Sequence, residues 1–395
     1  MRRNPKDTLM TFFSSLSYSA VPRVLLIILA LLHAGVLSSC DNSTPVLNIG
    51  VLRDSQLETD ATIVQAAQLA VERVNANGGL YVNGQSHRVQ LIVMDSGNTP
   101  QKAIKAAQKL IADQVVAIIG PNTSRTAIPV AGLVETVKMP LITPIATHVD
   151  ITKNHHYAFR TAFSDHLQGE AMATFARKQL EAKTATIFFD VSNEYSQSLF
   201  QSFTKAFERE GGEVVSVETY VTGRTDFSEQ IKNIKANPVD VIYLPGNSEV
   251  IKAQVTQLRN QEVESILLGG DAWNQTEIAT LPVFEGSYHT DHWHAAVNQR
   301  HEASALFFDL YNEKFSSNPH IAAMLTYDSI NILFEAISKS SGDGQSIQSE
   351  LIKTQNFNGV TGSISFSEHG ETKKPVYILQ VKDGKMHLAE EVYPR

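Results

Sequence analysis

The chain has 395 residues, 43% hydrophobic and 19% charged, the proportions of a globular protein rather than a collagen-like or disordered one. That length suggests two domains. With 33 basic against 41 acidic residues, a formal charge of −8 and few basic clusters, it is a poor candidate for phosphate-backbone binding, and no nucleic-acid partner is expected. The single Cys excludes an intramolecular disulfide and any multi-cysteine metal or iron–sulfur site.

Residues 1–39 read as an export signal rather than part of a fold. Arg2, Arg3, Lys6 and Arg23 precede an apolar run from Val24 to Leu32, and Leu37-Ser38-Ser39-Cys40 follows. Basic, apolar, then small is the order of a secretory signal peptide, and the run is short for a membrane span. Leu-Ser-Ser-Cys resembles a bacterial lipobox, which makes Cys40 the lipidated first residue of the mature chain. Residues 40–45 are then a tether. Asp41 resembles the signal that keeps such lipoproteins in the inner membrane, so the protein is expected in the periplasm, anchored there.

From Val46 onward, strand-like and helix-like runs alternate. Leu47–Leu52 is β-rich, and Ile63, Ala66, Ala67, Ala70, Val71 and Val74 recur at helical spacing. Asn77-Gly78-Gly79 stops that helix. Strand Gln90–Asp95 follows, then a helix opened by Thr99-Pro100. Strand Val115–Gly120, a helix near Ala127–Val137, strand Pro140–Thr143 and an extended Tyr157–Thr161 complete a first series.

A second series runs through helix Gln168–Leu180, strand Ala185–Phe189, helix Gln197–Gly211, and strands Val214–Tyr220, Val239–Leu244 and Ser265–Leu268. Helices are predicted near Phe227–Lys235 and Glu249–Asn260. The tail carries strands Gly359–Phe366 and Val376–Val381. Continuous apolar strands alternating with helices predict parallel sheets covered on both faces. The fold class expected is therefore α/β, with two open parallel-sheet lobes that part near residues 161–168.

Enzyme signatures are weak. No Gly-x-Gly-x-x-Gly follows the first strand, and neither a phosphate loop nor a Gly-x-Ser-x-Gly elbow is present. His292 and His294 share a face if extended, but no third ligand is positioned by spacing, so His289–His294 reads as a polar, aromatic surface segment between lobes and not a metal site. No catalytic residue, metal or cofactor is expected. A two-lobe enzyme needs a base near Ser124, and His148, the nearest candidate, reads as shaping a cleft rim.

The informative stretch begins where strand Val115–Gly120 gives way to Pro121-Asn122-Thr123-Ser124. A Gly- and Ser/Thr-rich strand end before a helix leaves backbone N–H groups free for an anion, and Ser124 serves either as a ligand hydroxyl or merely as the helix N-cap. Thr143-Pro144-Ile145-Ala146-Thr147 ends the next strand at the same edge.

Here the sequence resembles the Leu/Ile/Val-binding protein family, type I substrate-binding proteins of ABC transporters. The resemblance is carried by Gly120-Pro121-x-x-Ser124, Pro140–Pro144 with Ala146-Thr147, Phe159-Arg160-Thr161, Asn75–Gly79, Phe189-Asp190 with Tyr195, Asp240–Tyr243 and Leu268–Asp271. It spans nearly all of residues 46–390. It implies two lobes joined by a three-crossing hinge, residues 46–163 with 291–366 and residues 164–290 with 367–395. Ligand binds between them and the lobes close over it.

By the same resemblance, Ser124 and the backbone of Ile145 and Thr147 hold the α-carboxylate and α-amine of an amino acid. Tyr195 closes over the ligand, and Asp271 pairs with the ammonium. Asp271 taken alone is equally an ordinary turn residue after Gly269-Gly270. ABC permease subunits are the implied partner, and a sensor module of the same fold is the alternative. Departures from the family lie at Ser196 in place of Gly, at Asn247 where an aromatic is common, at Ile145 in place of a small residue, and in the polar, Gly-free loop Arg53–Asp60. They point to a pocket more polar, or differently shaped, than one for leucine.

Overall fold

The computed structural model describes residues 44–57, 59–298 and 302–393. The signal peptide, Cys40, Glu58 and His301 lie outside the described residues.

The first sheet contains β1 (Val46–Arg53), β2 (Leu80–Val82), β3 (Gln85–Asp95), β4 (Ile118–Ile119), β5 (Leu141–Thr143) and β6 (Ala158–Arg160), in the order β2-β3-β1-β4-β5-β6. All its pairings are parallel except the β2–β3 hairpin. Helices α1 (Asp60–Ala76), α2 (Pro100–Ala112) and α3 (Ser124–Val137) make the crossovers. The strand predicted over Val115–Gly120 pairs only at Ile118 and Ile119, although Val115 and Ala117 are buried too.

After Thr161–Ser164 the chain enters the second lobe through α4 (Asp165–Lys178). There β7 (Thr184–Asp190), β8 (Glu213–Tyr220), β9 (Val241–Leu244), β10 (Ile266–Gly269) and β11 (Tyr288–Asp291) pair in parallel. They are linked by α5 (Glu194–Arg209), α6 (Ser228–Ala236), α7 (Ser248–Asn260) and shorter turns. Edge strand β8 alternates in exposure, with Val215 and Val217 open, unlike the continuously buried strands expected.

Beyond β11 the chain returns to the first lobe. Helices α8 (Glu302–Phe315), α9 (Ile321–Lys339) and α10 (Gly344–Leu351) were not read from the sequence. α9 packs on α1, β2, β4 and β5, and Leu325, Ile332 and Leu333 on it are fully or almost fully buried. A small sheet, β12 (Phe357–Gly359), β13 (Gly362–Phe366) and β14 (Thr372–Lys373), adds Ile364 and Phe366 to the same core. The third crossing leads into β15 (Val376–Lys382) and β16 (Lys385–Val392), which extend the second sheet antiparallel to β11. The architecture is thus two lobes, each with a mixed, mostly parallel sheet, and the carboxyl ends of the parallel strands face one cleft.

Candidate ligand-binding cleft

A cavity of about 470 Å³ opens at those strand ends, within the range of small-molecule sites. Ser124, Ile145, Thr147, Tyr195, Asn247 and Asp271 all line it. It therefore unites residues separated by up to about 150 positions in sequence. α3 from one lobe also packs against α5 from the other.

The first-lobe wall is built from strand ends. Gly120 has φ +87°, and a Cβ there would lie 2.3 Å from the Leu52 carbonyl oxygen, so only glycine lets β4 turn into α3 at this place. The N-cap of α3 is Thr123, extended at φ −110° and ψ 145°, and its side chain caps no backbone N–H. Its hydroxyl instead meets the Thr126 hydroxyl at 2.8 Å. The cap reading of Ser124 is thereby excluded. Ser124 is the first helical residue, it is buried, and its hydroxyl has no partner among the described residues. The N–H groups of Ser124 and Arg125 cannot be satisfied within the helix, and they add the positive end of its dipole.

The neighbouring loop is held from behind. Arg160, fully buried, donates to the carbonyl of Thr147 at 3.3 Å, to that of His148, and to the hydroxyl of Thr152 at 3.2 Å, and it pairs with Glu371. Asp165 N–H also donates to the Thr147 carbonyl, at 2.9 Å. With that carbonyl occupied twice, Thr147 presents its N–H rather than its oxygen as the available backbone group. His148 N-caps the short turn Val149–Ile151 and does not line the cavity.

The second-lobe wall centres on Asp271, which is 6% exposed. Its Oδ1 accepts from Tyr195 Oη at 2.8 Å and from Gln168 Nε2 at 2.9 Å, and its Oδ2 lies 3.1 Å from His292 Nε2. Burial works against ionisation, but the contributions of His292, Gln168 and Tyr195 outweigh it and hold the pKa below the ordinary carboxylate value. His292 stacks on Phe163 at 3.6 Å between ring centroids. Burial lowers its pKa despite the pull of Asp271, so the ring is a neutral donor through Nε2. Asp271 is therefore an anion held by neutral donors, and no Lys or Arg contacts it among the described residues.

Gly270 makes this geometry possible, since a Cβ there would lie 2.4 Å from Tyr195 Oη. Ser196, the departure from the family's Gly, donates to the Pro245 carbonyl at 2.6 Å and accepts from Asp190 N–H at 3.0 Å. It thus ties α5 to the ends of β7 and β9. Asn247 N-caps α7 without a side-chain cap bond and stands exposed at the rim.

One expectation is corrected. His289–His294 is not a surface segment. His289 and His292 are buried, because β11 lies inside the second sheet between β10 and β15. Tyr195 lines the cavity, and its hydroxyl is committed to Asp271 and to Ala272 N–H.

Sequence reading also missed Gln168. This fully buried side chain bridges Asp165 and Asp271 through Nε2, at 3.1 and 2.9 Å, and accepts through Oε1 from Thr290 Oγ1 at 2.6 Å and Asp271 N–H at 3.2 Å. Only its place on the buried face of α4 hinted at it. Asp165 beside it is fully buried. Burial pushes its pKa up to about 7; the Thr147 hydroxyl opposes the rise and Asp271 adds to it.

The cleft thus offers hydrogen-bond donors on one wall and an uncompensated carboxylate on the other. The profile of the family described as periplasmic binding protein matches residues 51–385. A Leu/Ile/Val-binding protein, BraC3, of Rhizobium johnstonii is 27% identical over 338 residues, covering 83% of this chain and 89% of that protein. The crystal structure of a leucine-binding protein of Thermotoga maritima superposes with a TM-score of 0.81 at 28% identity, covering 89% of this chain and 99% of that one. A branched-chain amino acid transporter substrate-binding protein of Streptococcus pneumoniae, solved with isoleucine, gives 0.79 at 28% identity, covering 89% of this chain and 100% of that one. The chain belongs to the periplasmic binding protein family, whose members bind solutes and are not enzymes.

Proposed function

We propose that this protein is the extracytoplasmic solute-binding lipoprotein of an ABC transporter, and that its solute is an α-amino acid, of the branched-chain type or a related small polar one. The observation that carries this reading is the uncompensated charge of Asp271. A buried carboxylate without a cation is costly, and a ligand ammonium supplies the missing partner. The N–H groups of Ser124, Arg125 and Thr147, with the Ser124 hydroxyl, meet the α-carboxylate across the cleft. Ile145 and Asn247 flank the bound molecule, and Tyr195 keeps Asp271 in place. The relatives' names, with leucine, isoleucine and valine among their ligands, support the amino-acid class.

Ligand contacts on both walls bind best when the lobes are together, so ligand shifts the population toward the closed form, the form delivered to the permease. Lipidation of Cys40 holds the protein at the inner membrane. The test is a thermal-shift screen of the purified mature protein against amino acids and their deaminated analogues. A true ligand at a hundred times its Kd adds about 2.7 kcal/mol of stability. Stabilisation by deaminated acids equal to that by amino acids would refute the zwitterion reading.

A further inference from the structure

Beyond the zwitterion, the cleft has to accommodate a side chain, and its remaining surface is unlike an aliphatic slot. Asp271 and Arg125 are the only charged residues among the described lining residues. Their opposite charges are the complement of a zwitterion with an uncharged side chain. Carboxamides recur along the lining, at Gln56, Asn98, Asn122, Asn247, Asn274 and Gln275. Tyr195 is the only phenol or phenyl ring among the described lining residues, and its hydroxyl is already committed.

Two polar atoms of the first lobe sharpen this. Asn122 is 4% exposed; its Nδ2 faces the Leu52 carbonyl at 3.5 Å, which leaves Oδ1 as an acceptor shielded from water and without a partner. His320 caps α9 by accepting from Ala322 N–H on Nδ1 at 3.1 Å. Its proton therefore sits on Nε2, which is also shielded and unpartnered. Burial pushes the ring's pKa down to about 4, so it stays neutral at physiological pH. Asn122 and His320 both line the cavity, as do Leu57, Ile321 and Leu325, and α9 packs on β4 and β5. An acceptor, a donor and an aliphatic surface thus belong to the lining of one cavity, a candidate side-chain subsite.

Resting on the amino-acid reading above, we propose that this subsite selects a neutral side chain ending in a carboxamide over an aliphatic one of the same shape. Asparagine and leucine make the comparison direct. Both side chains branch at Cγ into two heavy atoms, so the same space holds either. The amide gives a hydrogen to Asn122 Oδ1 and takes one from His320 Nε2, with a small side-chain adjustment. Two methyl groups leave both protein atoms unpaired, and sites built around hydrogen-bonding groups reject analogues that lack them.

The experiment is calorimetric titration of the mature protein with asparagine, leucine and deaminated asparagine, repeated in Asn122→Leu and His320→Asn. The second variant keeps an N-cap oxygen for α9 and removes the ring donor. The expected result is asparagine tighter than leucine by about tenfold or more, with the preference lost or inverted in Asn122→Leu and reduced in His320→Asn. Leucine binding as tightly as asparagine, or tighter, in the parent protein overturns the carboxamide assignment while leaving the amino-acid reading intact. Failure of both amino acids overturns the carboxamide assignment alone, and deaminated asparagine binding as well as asparagine overturns the amino-acid reading and this one with it. The parent comparison stands even if a variant fails to fold.

Discussion

Replacing Asp271 with Asn removes a charge and almost nothing else. The new side chain keeps an oxygen where Tyr195 Oη and Gln168 Nε2 donate, at 2.8 and 2.9 Å. Its amide nitrogen falls opposite His292 Nε2, 3.1 Å from the original Oδ2. His292 accommodates it by moving its proton to Nδ1, which has no partner among the described residues. The fold is therefore retained, and the loss falls on the ligand ammonium. A hydrogen bond to a charged group contributes about 1.5–3 kcal/mol, so an amino-acid ligand weakens roughly tenfold to a hundredfold. Asp271→Ala goes further, with a loss of about 2–5 kcal/mol in binding, and it also strands three buried donors. The assay is calorimetric affinity for an amino acid and for its deaminated analogue, in the parent and in Asp271→Asn. The deaminated analogue, lacking the cation, should be nearly indifferent to the substitution. Equal losses for both ligands would remove Asp271 from the ammonium role.

Gly270→Ala places a methyl group 2.4 Å from Tyr195 Oη and 2.9 Å from Leu199 Cδ1; it should lower stability by about 1–3 kcal/mol and weaken amino-acid binding as Tyr195 leaves Asp271, and unchanged denaturation and calorimetry would contradict the close-approach argument. Asp165→Asn mimics the protonated acid. Because burial raises the Asp165 pKa to about 7 from 3.8, the folded state binds the extra proton, and that contribution to stability is complete below pH 4 and lost as pH rises toward 7. Asp165→Asn should therefore gain on the parent in melting temperature as pH rises from about 4 to 7 and level off above, and a difference independent of pH would show that Asp165 is not protonated in the fold. Cys40→Ser should leave unprocessed precursor or soluble protein without attached lipid, and labelled fatty acid still bound to that variant would refute the assignment.

Most of the alternating core was legible because its signals are local. Continuous apolar strands such as Val241–Leu244 and a helix with the spacing of Ile63, Ala66, Ala67 and Ala70 declare their type within a dozen residues. What was missed depends on sequence-distant packing. α9 is apolar on nearly every side, with Ala323, Leu325, Ile330, Ile332 and Leu333 all buried, because it is enclosed by α1 on one side and the first sheet on the other. A helix buried all round has no polar face to give it a period. β8 erred the other way: a valine-rich run reads as an interior strand, but at a sheet edge only alternate side chains are covered.

The site divides along the same line. Ser124 begins α3 and Asp271 follows β10, with Thr147 in the loop beyond β5; all three lie at the edge where the architecture opens the cleft, and such a position can be read one segment at a time. Gln168, His292 and Arg160 act by joining segments: Gln168 in α4 reaches Asp271 after β10 and Thr290 in β11, and Arg160 in β6 reaches Glu371 beside β14. Their chemistry exists only after three crossings of the chain have brought those segments together, and no spacing along the sequence encodes it. His292 shows why the difference matters. Read locally, it was half of an incomplete metal pair; placed beside Asp271 it is a neutral donor whose burial and tautomer keep a lone carboxylate ionised and waiting for a cation. On the proposed amino-acid reading, changing Gln168 or His292 should alter amine recognition without touching the ligand, because both act through Asp271, and should leave recognition of the carboxylate end, assigned to the start of α3, unaffected.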